Sequence, residues 1–509
     1  VDDRGGLTAD PSVRVEVRAF LTAPDLGALS ASASDVVWLD SSLPPEAPAT
    51  AHARARWSVL ALTDGPFAVR FRHEARHAHV DVPSSSRRWF GAPRHDARPA
   101  FSVLDDLLAR TPVLPEPIAG CGFALGWVGF LGYELGRESG GADRTADGHP
   151  DADLRFTDRA VVVEEDGRAW ALALVADAEP AASTANRAWL EAVTGGPAAA
   201  DVVDAAPRLP VDLEATGRVT RAAYEAAVDA CRAEIRDGNA FQVCLTTAFG
   251  LVPSDDLDGL EARRGSGTDP HLAEYRRLRA LDPVPFGAYL RLGPVRVASR
   301  SPERFLRIEA SGAVRAEPIK GTRRRAADPE ADGAVRAELA ASAKDRAENV
   351  MIVDLLRNDL LRTAVPGSVH VERLCDVETY ASVHQMVSTI DAVLPPGASR
   401  AAVVRAAFPP GSMTGAPKIR AMAIADRLEG APRGVYSGAI GYFSASGAVD
   451  LSVAIRTLVT VVDDEGAVRS RTFGAGGAVT WSSVAADEAD EVETKTRSVL
   501  AGVGAVARW

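Results

Sequence analysis

The sequence predicts a mixed α/β (α+β) protein arranged as two domains, and three observations point there. At 509 residues the chain is longer than one hydrophobic core usually organises. Its 46% hydrophobic and 25% charged residues are those of an ordinary globular protein. Short β-branched runs alternate with amphipathic helical runs, and a stretch rich in Ala, Pro, Ser, Thr and Gly interrupts them near residue 200. The boundaries follow: an N-terminal domain over residues 1–190, a linker over 191–214 and a C-terminal domain over 215–509.

In chain order, "DVVWLDSS" (35–42), "FAVRFR" (67–72) and "RAVVVEEDGRAWALALV" (159–175) read as strands. The last is a hairpin about Asp166-Gly167. "GFALGWVGFLGYELG" (122–136) is apolar and Gly-rich, which suits a buried segment with close backbone approach. "TGGPAAADVVDAAPRLP" is the clearest linker signal. "TRAAYEAAVDACRAEIRDGN" (220–239) is an amphipathic helix with Thr220 as N-cap. "AFQVCLTTAFGL" reads as a strand and "ARRGSGTDPH" (262–271) as a surface loop. Further on, "PFGAYLRL", "PVRVAS", "GAIGYFSA" and "VDLSVAIRTLVTVV" read as strands. "ELAASAKDRAENVMIVDLLRNDLLR", "PKIRAMAIADRLEG" and "DEADEVETKTRSVLAGV" read as helices.

The formal charge of −12 argues against nucleic acid or an anionic membrane as the main partner, though not against a small anionic substrate held by local arginines. No apolar run reaches the ~20 residues that span a bilayer, and the acidic start "VDDRGGLTAD" is unlike a secretory signal. Cys121, Cys231, Cys244 and Cys375 are widely spaced with no CxxC pair, which fits a reducing cytoplasm rather than a disulfide framework or zinc site.

Only four of the 57 basic residues are lysines: Lys320, Lys344, Lys418 and Lys495. Arginine stays protonated, whereas lysine can become a nucleophile when desolvated or set near other cations. Lys320 sits in "PIKGTRRR", with Arg323, Arg324 and Arg325 close behind. A hairpin leaving Pro302, turning at Ser311-Gly312 and returning through Val314 brings Glu303 and Lys320 to one end of neighbouring strands. That pairing suits a general acid beside a nucleophile, and equally a structural salt bridge.

Asp345 and Glu348 are spaced i, i+3, while Glu488, Glu491 and Lys495 are spaced i, i+3, i+7, so each set shares one helix face. Facing helices of this kind make an oxygen-ligand site for Mg²⁺, although such spacings are also common on solvated faces. "FGAGGAV" (473–479) reads as a Gly-rich turn whose N–H groups could receive a carboxylate, or as a plain tight turn. "FPPGSMTGAPKIRAM" (408–422) reads as a loop entering a helix at Pro417, where an anion would be welcome. Arg456, in an apolar strand, requires an anionic partner.

Taken together, "SPERF", "PIKGT", "DRAENVMIVDLLRNDL", "SVHQMVSTI", "FPPGSMTGAPKIRAM", "YSGAIGYFS", "VAIRTL", "GAGGAV" and E-x-x-E-x-x-x-K resemble the chorismate-utilising enzymes, in family order over residues 301–495. "GWVGFLGYE" and "FQVCLT" carry a weaker match into earlier sequence. This is the family of anthranilate synthase component I and aminodeoxychorismate synthase component I. The resemblance implies large mixed or antiparallel β-sheets in a sandwich flanked by helices. Anthranilate and isochorismate enzymes carry Ala where this chain has Lys320; the lysine is typical of the aminodeoxychorismate branch, on the route to para-aminobenzoate.

The resemblance further implies Mg²⁺ on Glu348 and Glu491, with Asp345 and Glu488 beside them. It implies Lys320 as nucleophile, Glu303 as general acid and His384 as a residue near the ring. Tyr436, Arg456, Ser412, Thr414, Gly474, Gly476, Gly477 and Lys495 would bind chorismate. Lys418 is expected to cap its loop-to-helix junction. Anthranilate-type members also carry a tryptophan regulatory site, and "WLDSS" (38–42) falls in the matching region. The interval from Arg456 to Glu491 is longer than usual, through a hairpin around "DDEGAV". Cys121 in "AGCGF" lacks a G-x-C-x-G glutaminase elbow, so ammonia is expected free or from a separate glutamine amidotransferase subunit. The alternatives are C2 amination, giving anthranilate or 2-amino-2-deoxyisochorismate, and a catalytically silent ligand-binding homologue.

Overall fold

The computed structural model describes residues 10–43, 47–146, 148–195, 213–251, 269–281, 283–380 and 383–509. Most of the linker stretch and of the 262–271 loop lies outside them. Two large sheets carry the fold. The first runs edge to edge through Val13–Ala19, Ala169–Ala176, Arg159–Glu164, Trp57–Leu62, Val36–Asp40, Phe286–Leu292, Val295–Ser301, Thr457–Val462, Val468–Val479, Gln242–Leu251, Leu213–Gly217 and Ala505–Arg508. The short strand Gly415–Ala416 also pairs with Gln242–Leu251.

The second sheet runs through Ile319–Arg324, Val383–Val393, Ala313–Glu317, Arg304–Ile308, Val449–Val453, Ala439–Ser444, Gly126–Leu131, Ala152–Thr157, Val69–Glu74, His77–Asp81 and Arg94–Asp96. His370–Thr379 pairs with Val383–Val393 beside it. Both sequence segments feed both sheets. Phe286–Leu292 pairs with Val36–Asp40 in one, and Ala439–Ser444 with Gly126–Leu131 in the other. The boundary near residue 200 therefore divides the chain without dividing the sheets.

The sheets pack face to face. Val37, Val59, Leu290 and Val297 of the first meet Phe71, Phe130, Phe156 and Leu306 of the second in one apolar core. Burying each large side chain contributes about 1.5–3 kcal/mol. Trp127, Phe90 and Phe156 add edge contacts with ring centroids 5.2–5.7 Å apart. The Gly-rich 122–136 segment forms the fully buried strand Gly126–Leu131. Gly129 there has φ +146°, and any side chain would run into the Asp153 carbonyl. Helices Arg221–Arg236, Pro270–Leu281, Lys418–Glu429 and Ala485–Gly502 cover the other face of the first sheet through Tyr224, Leu272, Ile424 and Val492. Among the described residues no helix is long and apolar enough to cross a membrane, and all four cysteines are buried and free.

Three local expectations are corrected. "VDLSVAIRTLVTVV" is two strands, Val449–Val453 and Thr457–Val462, one in each sheet. The chain crosses between sheets at Arg456, which takes a left-handed φ of +51°. The long helix expected from residue 338 breaks at Ser342, whose hydroxyl accepts the Asp345 N–H at 3.3 Å and starts a new helix, Ala343–Leu361. "FGAGGAV" is the end of the 12-residue strand Val468–Val479, not a turn.

Candidate functional site

The expected hairpin forms, with Arg304 opposite Glu317. Pro318, having no N–H, stands where that pairing ends, and Ile319–Arg324 resumes against Val383–Val393. A buried Glu303 and a half-buried Lys320 are thereby brought within electrostatic reach of each other. Glu303 is 6% exposed. Burial pushes its carboxyl up to about 7, against the opposing pull of the Lys320 ammonium, Ser412 and the Ile319 N–H. Lys320 Nζ donates to the Ser412 carbonyl at 3.5 Å. Ser412 Oγ is buried without a hydrogen-bond partner of good geometry.

Lys418 positions that serine. Its Nζ donates to Asp359 Oδ2 and the Ala407 carbonyl, both at 2.6 Å, and to the Pro409 carbonyl at 3.0 Å, clamping the loop ahead of its helix. Thr414 spends its hydroxyl inside the same loop, donating to the Gly411 carbonyl at 3.1 Å. Two of the three arginines behind Lys320 are committed to carboxylates: Arg323 to Glu338 and Asp345, Arg325 to Asp332. Asp345 is thereby paired with Arg323 at 2.8 Å.

Those groups come from two helices. Glu348 rises from Ala343–Leu361, and Glu488 and Glu491 from Ala485–Gly502. Glu348 and Glu488 are 8% and 2% exposed. Burial raises both carboxyls, and the neighbouring acids push the same way. Glu348 Oε1 and Glu488 Oε2 are buried with no hydrogen-bond partner, an unsatisfied state that costs free energy unless a cation or ligand fills it. Glu491 differs: Lys495 Nζ lies 2.6 Å from its Oε1 and holds it low. Lys495 also donates to the Gly476 carbonyl at 2.8 Å. Among the described residues no three acidic, histidine or cysteine groups converge on one point at ligand distance. What the helices offer is a set of unpaired carboxylate oxygens, the donor type of a hard divalent cation.

The glycines of Val468–Val479 admit their neighbours rather than bend the chain. A methyl group on Gly474 would overlap the Tyr436 ring, and one on Gly476 would strike the Leu245 carbonyl. A Cβ on Gly477 would lie 2.7 Å from Glu488 Oε2. Tyr436 thus lies on bare backbone, and burial pushes its phenol well up. Gly474→Ala is expected to destabilise the protein by about 1–3 kcal/mol through overpacking. Gly250→Ala, on the paired strand where a Cβ meets nothing nearer than 4.0 Å, is expected to stay within about 0.5 kcal/mol. Urea unfolding midpoints of the two variants check this.

Arg456 is half-buried at the crossing between sheets, its carbonyl accepting the Arg300 N–H at 3.2 Å. A left-handed conformation at a non-glycine residue is costly and is retained where the surroundings impose it. His384 is turned to other partners: its ring bonds Thr379 Oγ1 at 2.9 Å and Asp332 Oδ1 at 3.0 Å, which ties helix Pro329–Ala341 to the sheet. Sequence reasoning missed Arg433. Its buried guanidinium donates to Glu429, to the Met413 carbonyl at 2.7 Å and to the Cys244 carbonyl at 2.8 Å, tying the Ser412 loop to the strand below Tyr436. The available signal was its i, i+4 spacing from Glu429.

A cavity of about 480 Å³ lies elsewhere, beside Leu39, Asp40 and Ser41 of "WLDSS", with Trp57, Phe286 and Tyr442 in its wall. It shares no residue with the lysine–carboxylate group.

The family model described as chorismate binding enzyme matches residues 69–501. The chain is 42% identical to aminodeoxychorismate synthase of Streptomyces pristinaespiralis over 96% of its own length and 65% of that protein's. It is 36% identical to aminodeoxychorismate synthase component 1 of Klebsiella aerogenes, over 79% and 82% of the two chains. The crystal structure of anthranilate synthase component I from Streptococcus pneumoniae superposes with a TM-score of 0.69 at 26% identity, covering 87% of this chain and 92% of that one. The chain thus spans less than two thirds of the Streptomyces relative. With the sandwich fold and nearly the whole length matched, the chain belongs to the chorismate binding enzyme family.

Proposed function

We propose that this chain aminates chorismate at C4, giving 4-amino-4-deoxychorismate. The observation that carries the reading is Lys320 beside a buried Glu303 whose carboxyl is held up to about 7. The names of the aminodeoxychorismate synthase relatives support it. Lys320, as the free amine, attacks ring C2; both conjugated ring double bonds shift one place and the C4 hydroxyl departs. Glu303 protonates that hydroxyl, so it leaves as water. Ammonia then adds at C4, both double bonds shift back, and the C2–nitrogen bond to Lys320 breaks. The Glu303 carboxylate takes up the proton released by the incoming ammonia.

In this reading Tyr436, Arg456, Ser412 and Lys495 bind the substrate's carboxylates. Glu348 and Glu488 offer Mg²⁺ one unpaired oxygen each, with Glu491, whose Oε1 holds Lys495, completing the set; Asp345, bound to Arg323, lies one turn from Glu348 on the same helix. Bound there, the metal would neutralise a substrate carboxylate. A glutamine amidotransferase supplies the ammonia in this reading, and free ammonia at high concentration should replace it.

The test is product identity. The purified chain is incubated with chorismate, Mg²⁺ and concentrated ammonium salt at mildly alkaline pH, and the product is identified by mass and NMR. A C4-aminated product that keeps the enolpyruvyl group supports the reading. Anthranilate or another C2-aminated product overturns it.

A further inference from the structure

Lys344 has no place in the chemistry above, yet it is one of four lysines in a chain that otherwise uses arginine. It lies in the first turn of helix Ala343–Leu361, where the helix dipole disfavours a cation. Something nearby must offset that. Its Nζ is 3.6 Å from Glu488 Oε1 and 4.0 Å from Glu348 Oε1, so it bridges the two helices that bear the acidic groups.

The bridge is loose. Lys495 and Lys418 each approach a carboxylate oxygen to 2.6 Å, whereas Lys344 reaches neither of its partners at hydrogen-bonding distance. Its side chain is 50% exposed, against 10% for Lys418. One oxygen on each of Glu348 and Glu488 stays buried and unpartnered despite it. An ammonium held between two carboxylates without satisfying either, and free to swing into solvent, is a replaceable counter-ion.

We infer that Lys344 stands in for the divalent cation and is displaced when the cation binds, so that it sets the affinity of the site. The inference rests on the reading of Glu348, Glu488 and Glu491 as the cation's ligands. A lysine suits this role better than an arginine, whose planar fork would lock onto both carboxylates.

The test is calorimetric titration of Mg²⁺, and separately Mn²⁺, into the full chain without chorismate. Lys344→Gln is expected to bind metal roughly three- to tenfold more tightly, the loss of a weak competing ion pair. Lys344→Arg is expected to bind more weakly than wild type. In EDTA, Lys344→Gln should unfold at a lower temperature than wild type, with the difference shrinking as metal is added. Unchanged or weaker metal binding in Lys344→Gln, with Glu348→Gln abolishing it, overturns the role of Lys344 and leaves the metal site standing. Absence of metal binding in wild type and variants alike, with or without chorismate, removes both.

Discussion

Lys320→Ala is expected to lower C4 amination roughly 10³-fold or more while chorismate still binds, because a nucleophile acts in the transition state and contributes little to ground-state affinity. Lys320→Arg is expected to fail equally, since a guanidinium keeps its proton. The structure makes a folding artefact a weak explanation for such a loss. The ammonium's hydrogen bond to the Ser412 carbonyl is long, at 3.5 Å, and losing that bond costs about 1 kcal/mol or less. Turnover with ammonium as donor, read beside chorismate affinity, separates the two effects. Loss of affinity with turnover retained would assign Lys320 to binding instead.

Glu303→Gln is expected to lower turnover by about 10²–10⁴-fold, the usual contribution of a positioned acid, and at the same time to stabilise the fold at high pH. The sign follows from burial. The carboxyl is raised from 4.5 to about 7 in the folded protein, so its charged form is disfavoured there relative to the unfolded chain. That penalty is fully present above about pH 7, shrinks as pH falls, and vanishes below 4.5. Glutamine escapes it. The variant should be more stable than wild type by on the order of 1–3 kcal/mol at pH 8 and indistinguishable near pH 4. Denaturant unfolding at the two pH values reads this directly. Greater stability of wild type at pH 8 would mean that the pairing with Lys320 outweighs burial. On the activity side the acid must be protonated, so wild-type turnover loses this contribution as pH rises through about 7.

How much of this was legible beforehand depends on how local the cause is. The hairpin from Arg304 to Glu317 was readable because one turn signal closes it, whereas the pairing of the Lys320 strand with Val383–Val393 was not. The acidic pairs were readable because helical spacing alone puts them on one face. The glycine strand was not. Gly474, Gly476 and Gly477 resemble a turn until Tyr436, Leu245 and Glu488 are brought against them from distant sequence. The break at Arg456 was hidden for the same reason: "VDLSVAIRTLVTVV" has uniform strand propensity, and only the crossing between sheets imposes its φ of +51°. The sharing of both sheets between the two halves lies in pairings such as Tyr289 with Trp38, which no window of sequence contains. Asp345 and His384 each hold a partner, Arg323 and Asp332, that no motif announces.

The central claim is that Lys320 forms the bond that directs nitrogen to C4. The measurement that meets it most directly is mass spectrometry of the protein, quenched in acid after brief exposure to chorismate and Mg²⁺ with ammonia withheld. An increment equal to chorismate less water, mapped to the peptide holding Lys320 and absent from Lys320→Ala, is the expected result. C4 amination by wild type at full rate with no such adduct, and by Lys320→Ala nearly as fast, would contradict it.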